Sequence, residues 1–498
     1  MREVVVLSLA ALAGLCGCAA PLPAPPGAAR LDLPAAFASD HAPGEAGELA
    51  AWWAAFDDPT LTSLVSRALA ANLDVRQAAA RVREARLQQR IVRGGQGPRL
   101  DASAGATAAR LSKNALPSAL AGLASGGSGS GGSGGGLGLP GETFKTFQAG
   151  FDASWELDLF GGDARTNEAA QARADAALWS RRDAEVILAA EVADTWLHER
   201  SLQRRIALAD ATLATRRDLL AFAEVRARHG LAADTEALRQ RQAIRQASAQ
   251  REDLAAQADA DRHALALLLG LAPTAPAADL PQPDQRAAAP LDVPPGLPSE
   301  LLERRPDIRA AERTLAAAMA DIGAAQADLY PRISLTGALQ MASRSLSTLV
   351  DADSRQDNLG GKVVFPLLGR DRLHATVDLR QAQADEAAIA WRKTVLQALR
   401  EVEDALTRLD ADRRRTHDLR DAAQAAQDAA DSAGVAYRHG LSAAADMLSA
   451  REAQLAAEDA ALQAEAATAH DAVALYKALG GGWDARRTLD DKDDTGGR

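Results

Sequence analysis

The sequence predicts a mainly α-helical chain with a membrane β component. It reads as a duplicated half-protein giving a trimeric 12-strand β-barrel, four strands per chain, continued by a long α-helical coiled-coil periplasmic tunnel. Three observations carry this reading. The chain contains one structural plan twice. Residues 147–159 alternate apolar and polar without a break. Residues 165–229 run without Pro or Gly, a length that no compact domain accommodates.

The duplication shows as two offsets. Asn72-Leu73-Asp74-Val75-Arg76 lies over Arg305-Pro306-Asp307-Ile308-Arg309, and Pro98-Arg99-Leu100 falls on Pro331-Arg332-Ile333 at the same offset of 233. An offset of 210 matches Arg228-His229-Gly230-Leu231 to Arg438-His439-Gly440-Leu441, and Leu269-Gly270 to Leu479-Gly480. A unit this long is half a protein, not a solenoid repeat.

Composition removes several function classes. Charged residues make up 25% of the 498, with a net charge of −11, so no basic face points to nucleic acid. Aromatics are only 4%, and alanine-rich helices suit close helix packing instead. The eight His form no HExxH motif and no His/Cys cluster. No phosphate-binding loop, cofactor motif or catalytic constellation is found, so the chain is read as a non-enzyme without cofactor or metal. The only cysteines are Cys16 and Cys18, which leaves no disulfide scaffold.

Taken in order, residues 1–17 read as a signal peptide. Arg2 precedes the apolar run Val4 to Leu15, which is too short to span a bilayer. Leu15-Cys16-Gly17-Cys18 resembles a bacterial lipobox, with Cys18 after small Gly17 as the lipidated residue. Ala19 follows, where an Asp marks inner-membrane retention in such lipoproteins. Residues 18–47, rich in Pro and Ala, form a tether. The first repeat spans 48–272. Asp58 caps a helix started by Pro59, running about 60–93. A strand follows near 99–109, then the Gly/Ser loop 125–136.

The second strand, near 146–159, places Phe147, Ala149, Phe151, Ala153, Trp155, Leu157 and Leu159 on one face. Gln148, Gly150, Asp152, Ser154, Glu156 and Asp158 take the other. Such alternation marks a membrane barrel strand. Helices at about 165–229 and 233–269 complete the half; the first is on the order of 100 Å long. A Pro-rich crossover covers 273–298. The second repeat, 299–482, holds a helix near 299–329, strands near 331–341 and 359–368, and helices near 371–438 and 443–479. Residues 483–498 form a polar tail.

Four strands cannot close a barrel, and an edge open to lipid costs several kcal/mol per unpaired group. Closure must therefore come from other copies. A trimer of twelve strands is the smallest count with a useful lumen.

The lipobox, Trp52-Trp53 with Phe56-Asp57-Asp58-Pro59, Ala70-Ala71-Asn72-Leu73-Asp74, the stretch Arg304 to Glu312, and Tyr437 to Met447 together resemble the TolC/OprM-type outer-membrane efflux proteins, in their NodT-like lipoprotein branch. The resemblance implies a homotrimer in the outer membrane of a Gram-negative bacterium, lipid-anchored and projecting into the periplasm. It implies an exit duct for small molecules, working with a periplasmic adaptor and an inner-membrane RND-type transporter. It also implies a closed periplasmic aperture: Tyr437 stands at the family's aperture tyrosine, and Asp446 and Glu236 at acidic positions. Ser442 stands where some relatives carry an Arg that locks the gate, and Ser449 where relatives often carry Asp, so the resemblance does not extend to a salt-bridged latch.

Two readings of the hairpin turns remain open. Gly230 and Gly440 suit the left-handed position after a helix, and His229 and His439 suit helix C-termini. Alternatively, six histidines ring the tip of a trimer and make it acid-sensitive. Glu236 and Asp446 are either first-turn acids or a cation-selecting ring. The same duct could serve type I protein secretion. A pore-free periplasmic coiled-coil scaffold is a third reading, which the strand 147–159 opposes.

Overall fold

The computed structural model describes Pro34, Phe37 and residues 49–110, 143–231, 233–274 and 298–483. The signal peptide, Cys18, most of the tether, the Gly/Ser loop, nearly all of the crossover and the polar tail after Trp483 lie outside the described residues.

A short 3-10 turn, Trp52–Phe56, precedes α1 (Pro59–Ala71) and α2 (Leu73–Gly95). Then come β1 (Arg99–Arg110), β2 (Thr143–Leu157), α3 (Gly162–Arg228) and α4 (Asp234–Leu268). The second half has α5 (Leu301–Arg304), α6 (Pro306–Ala327), β3 (Arg332–Ser343), β4 (Arg355–Val364), α7 (Arg370–Arg438) and α8 (Ala444–Ala478). The long helices, 67 and 69 residues, match the lengths expected, and the second runs straight through Gly434.

Four expectations are corrected. The helix expected over 60–93 is two helices, because Asn72 leaves helical geometry with ψ 137° and its side chain caps the second: Oδ1 accepts from Asp74 N at 2.8 Å and Val75 N at 3.2 Å. The helix expected over 299–329 breaks likewise at Arg305, which Pro306 forces out of the helical region. The fourth strand lies at 355–364, not 359–368. Pro366 has no N–H for the ladder, so the apolar run Phe365 to Leu368 falls beyond the strand end. Leu159 likewise lies past the end of β2.

The chain divides into two compact units. One comprises Arg86–Gln171 and Ala316–Ala384 and contains the sheet. Its strands pair antiparallel in the order β1-β2-β3-β4. Phe160 stacks on Tyr330 at 4.9 Å between ring centroids, tying the end of β2 to the start of β3.

The other unit comprises the described parts of Pro26–Ala85, Ala172–Leu315 and Asp385–Arg498 and is helical. Its core gathers Trp52, Leu61, Leu64, Trp196, Ile308, Leu406 and Leu475. Trp52 stacks on Tyr476 at 4.9 Å. Asp58 anchors α1 as expected: Oδ1 accepts from Thr60 N and Leu61 N. Oδ2 accepts from Trp196 Nε1 at 2.8 Å and Arg200 Nη1 at 2.9 Å. A buried carboxylate so saturated fixes α1 against α3.

The two helix breaks do the same job in both halves. Asn72 Nδ2 donates to Leu268 O at 2.9 Å, at the end of α4. Arg305 Nη1 donates to Ala478 O at 2.9 Å, at the end of α8. Donors and acceptors correspond under the two repeat offsets. The glycines that follow, Gly270 and Gly480, have φ of 71° and 76°, and an added Cβ at either would press on the broken helix beside it.

Candidate functional site

The sheet is two-faced across all four strands. The register sets Phe151 opposite Leu339, Trp155 opposite Leu335, Ala102 opposite Phe151 and Leu359 opposite Gly337. Strand residues alternate sides, so these share one face with Leu100, Ile333 and Val363. Asp101, Ser103, Asp152, Ser154, Glu156, Thr336, Gln340, Asn358 and Lys362 share the other.

The apolar face is uncovered in the chain: Leu359 is 89% exposed and Phe151 53%. Its charged members, Arg110, Lys145, Arg355 and Asp357, gather at one end of the strands, as a headgroup boundary requires. On the polar face Asp101 sits directly opposite Asp152, and Ser103 Oγ donates to Asp152 Oδ2 at 2.9 Å. Like charges opposite each other are tolerated only in water. One face therefore suits lipid and the other an aqueous lumen.

The helical unit ends in two hairpin turns of the same design. Gly230 N donates to Ala227 O and Leu231 N to Arg226 O, and Gly440 N to Tyr437 O and Leu441 N to Ala436 O. Gly230 and Gly440 have φ of 68° and 72°, completing Schellman motifs. His229 and His439 take the C-cap positions and are exposed.

The acids that follow behave differently. Glu236 lies 3.8 Å from Arg226, across the hairpin. Asp446 turns back on its own helix start, where Oδ2 accepts from Ala443 N at 3.2 Å, forming half of a capping box. Tyr437 is 44% exposed. No hydrogen bond or ion pair joins Tyr437, Glu236 and Asp446 among the described residues. The Ser442 Oγ is enclosed without a hydrogen-bond partner there.

Two features escaped the sequence reading. The first is the seams that flank α3. Towards α4, apart from Arg226 with Glu236 at the turn, acids of α3 meet arginines: Glu199 with Arg262, Asp210 with Arg251, Glu224 with Arg241. Towards α8 the signs invert: Arg204 with Glu465, Arg205 with Asp459, Arg216 with Glu452. The second is a histidine pair. His198 Nδ1 lies 2.6 Å from Asp261 Oδ2 in α4, and His470 Nδ1 lies 2.6 Å from Asp194 Oδ1 in α3. Periodicity places Asp194 and His198 one turn apart on α3, but their partners are 63 and 276 residues distant in sequence.

Among the described residues no group of three or more His, Cys, Asp or Glu is arranged to hold a metal ion, and no helix is long and apolar enough to cross a membrane. The sheet is the element fitted to a bilayer.

A family model described as outer membrane efflux protein matches residues 64–271 and 297–481. The chain belongs to that family. It is 34% identical over 440 residues to the outer membrane protein OprJ of Pseudomonas aeruginosa, covering 88% of this chain and 87% of that one. It is 30% identical over 439 residues to nodulation protein T of Rhizobium leguminosarum bv. trifolii, with 88% of each covered. Among solved structures it resembles the outer-membrane channel OprN, with a TM-score of 0.80, 32% identity, and 94% of this chain and all of that one covered.

Membership makes the chain an outer-membrane efflux channel whose four strands are its share of a trimeric twelve-strand barrel. The relatives are channels, not enzymes.

Proposed function

We propose that the chain forms the exit duct of a tripartite efflux pump, passively conducting small molecules delivered by an inner-membrane transporter through a periplasmic adaptor. The two-faced sheet carries this reading. Its polar face lines a water-filled lumen in which Asp101, Asp152 and Glu156 favour cations. Its apolar face meets lipid. The sequence contains no ATP-binding loop, so the energy comes from the partner. Relatives 31% identical include the outer membrane proteins of a solvent efflux pump and of a toluene efflux pump in Pseudomonas putida, which supports export of toxic small molecules.

In the same reading Cys18 carries the lipid anchor, and repeats 48–272 and 299–482 form the two halves of each wall. The turns His229-Gly230 and His439-Gly440 form the tip, and Tyr437, Asp446 and Glu236 narrow the aperture. Asp446 already holds a helix start, so its removal loosens that turn as well as discharging the ring.

Planar-bilayer recording of the purified protein tests this. The expected result is small, trimer-dependent, cation-selective conductance that rises in Tyr437→Ala/Asp446→Ala. A folded trimer of that variant that passes no current would overturn the channel reading.

A further inference from the structure

The seams beside α3 contain charges of two kinds. The arginine pairs keep their positive charge, because a guanidinium holds its proton throughout the accessible range, although burial raises the Glu199 carboxyl above its ordinary value. The two imidazole pairs add bases that switch near neutrality. Each also runs against the polarity of its own seam. Towards α4 the neighbouring arginine pairs put the acid on α3, whereas His198 puts the base there. Towards α8 they put the base on α3, whereas Asp194 puts the acid there. Asp194 and His198 are one helical turn apart, so a single stretch of α3 reaches both neighbouring helices.

Beside them lies a cavity of about 540 Å³ lined by Asp194, His198 and Arg205 of α3, Asp412 of α7, and His470 and Asp471 of α8. Arg408 of α7 also acts on His470 and Asp471. Asp261 of α4 completes the charged groups facing the pair.

We propose that His198–Asp261 and His470–Asp194 form a proton-operated clasp that holds α3 to α4 and to α8 when both imidazoles are charged and loosens both seams when they are neutral. The hydrogen bond to Asp261 carries His198 above its ordinary 6.5, and that to Asp194 does the same for His470. Burial pushes Asp471 up to about 6, helped by its hydrogen bond to Asp412. All three are raised on folding, so each contributes stability that is complete at low pH and is lost as pH rises through the folded value. For the histidines that loss falls above 6.5; for Asp471 it falls between 3.8 and about 6. The three act in the same direction, tightening the α3–α4, α3–α8 and α7–α8 contacts in acid. The clasp rests on helix packing alone and holds whether or not the duct carries the cargo proposed above.

Hydrogen–deuterium exchange on the full-length trimer in detergent reads it directly. After correction for intrinsic rates, peptides around 190–202 and 462–474 should exchange about two- to fivefold slower at roughly pH 5.5 than at roughly pH 8, the span of a partly exposed ion pair. His198→Gln/His470→Gln should abolish that difference around 190–202 and leave around 462–474 only the part due to Asp471, while peptides around Arg216–Glu452 keep wild-type rates. Equal exchange at both pH values in the wild type, or an unchanged pH difference in the variant, would overturn the clasp. Imidazole C2 proton exchange on the unmodified protein tests it without a variant. Both histidines should titrate above 6.5, and titration at or below that value would likewise overturn it.

Discussion

The two halves of the chain secure the same joint with different chemistry. In the first, Asn72 breaks the helix, caps the next one and donates to the end of α4. In the second, Arg305 reaches the end of α8 but also forks onto Asp307, at 3.0 and 2.7 Å, and meets Glu401 at 2.8 Å. The two halves share the geometry but use different donors, a neutral amide and a guanidinium. The joint therefore depends on where the donor lies rather than on its charge. The donor of the second half also joins a charged network that can be perturbed by removing a partner or a proton.

The largest break should come from Arg305→Ala. It strips a buried donor from Asp307, Glu401 and the Ala478 carbonyl, and should cost about 2–4 kcal/mol, at the low end because Glu401 is 44% exposed. Asn72→Ala loses a cap and one long-range hydrogen bond, about 1–2 kcal/mol. Denaturant midpoints of the purified trimer rank the two, and equal costs would mean the charged network adds nothing to the joint.

A smaller contrast lies in the following glycines. Gly270→Ala should cost about 2 kcal/mol and Gly480→Ala about 1, both for positive φ. The first costs more because its Cβ would lie 2.8 Å from the rigid Ala71 carbonyl, against 3.1 Å from Arg305 at the second. The reverse order in melting temperature would show that the α8 end is the tighter fit.

The smallest effect is one of pH. Burial, with Asp307 nearby, pushes Asp183 up to about 6, so its contribution is complete in acid and fades as pH climbs through about 6. Asp183→Asn should flatten the stability profile from about pH 4 to 6, and Asn72→Ala should leave the slope alone. An unaltered slope in Asp183→Asn would remove this difference between the halves.

Much of the fold was legible because its signals are local. Pro98 and Pro331 mark strand starts, alternation marks β2, and Gly230 and Gly440 mark turns. The errors share a cause. Phe365 to Leu368 is apolar enough to imitate a strand, and only the position of Pro366 in the ladder excludes it. Leu73-Asp74-Val75 continues helical periodicity across Asn72, so nothing local announces a break whose reward is a carbonyl 196 residues away. The histidines show the same limit. His229 and His439 stood out because the repeat aligns them, yet both are exposed at C-caps. His198 and His470 have no repeat mate, and the folded helices alone bring carboxylates to them.

The sheet described above has β1 and β4 at its margins, each with one side of its backbone unpaired within the chain. Lipid tolerates no such margin, so entry into the bilayer and ring closure must be a single event. Inheritance of defects follows from this. A chain damaged only at one margin still folds its helices and still joins rings, and every ring that takes one in is spoiled. With equal expression of sound and damaged copies, about one ring in eight escapes in a three-fold assembly. Margin mutations should therefore behave as dominant, whereas those that unfold the whole chain, and so keep it out of rings, should behave as recessive.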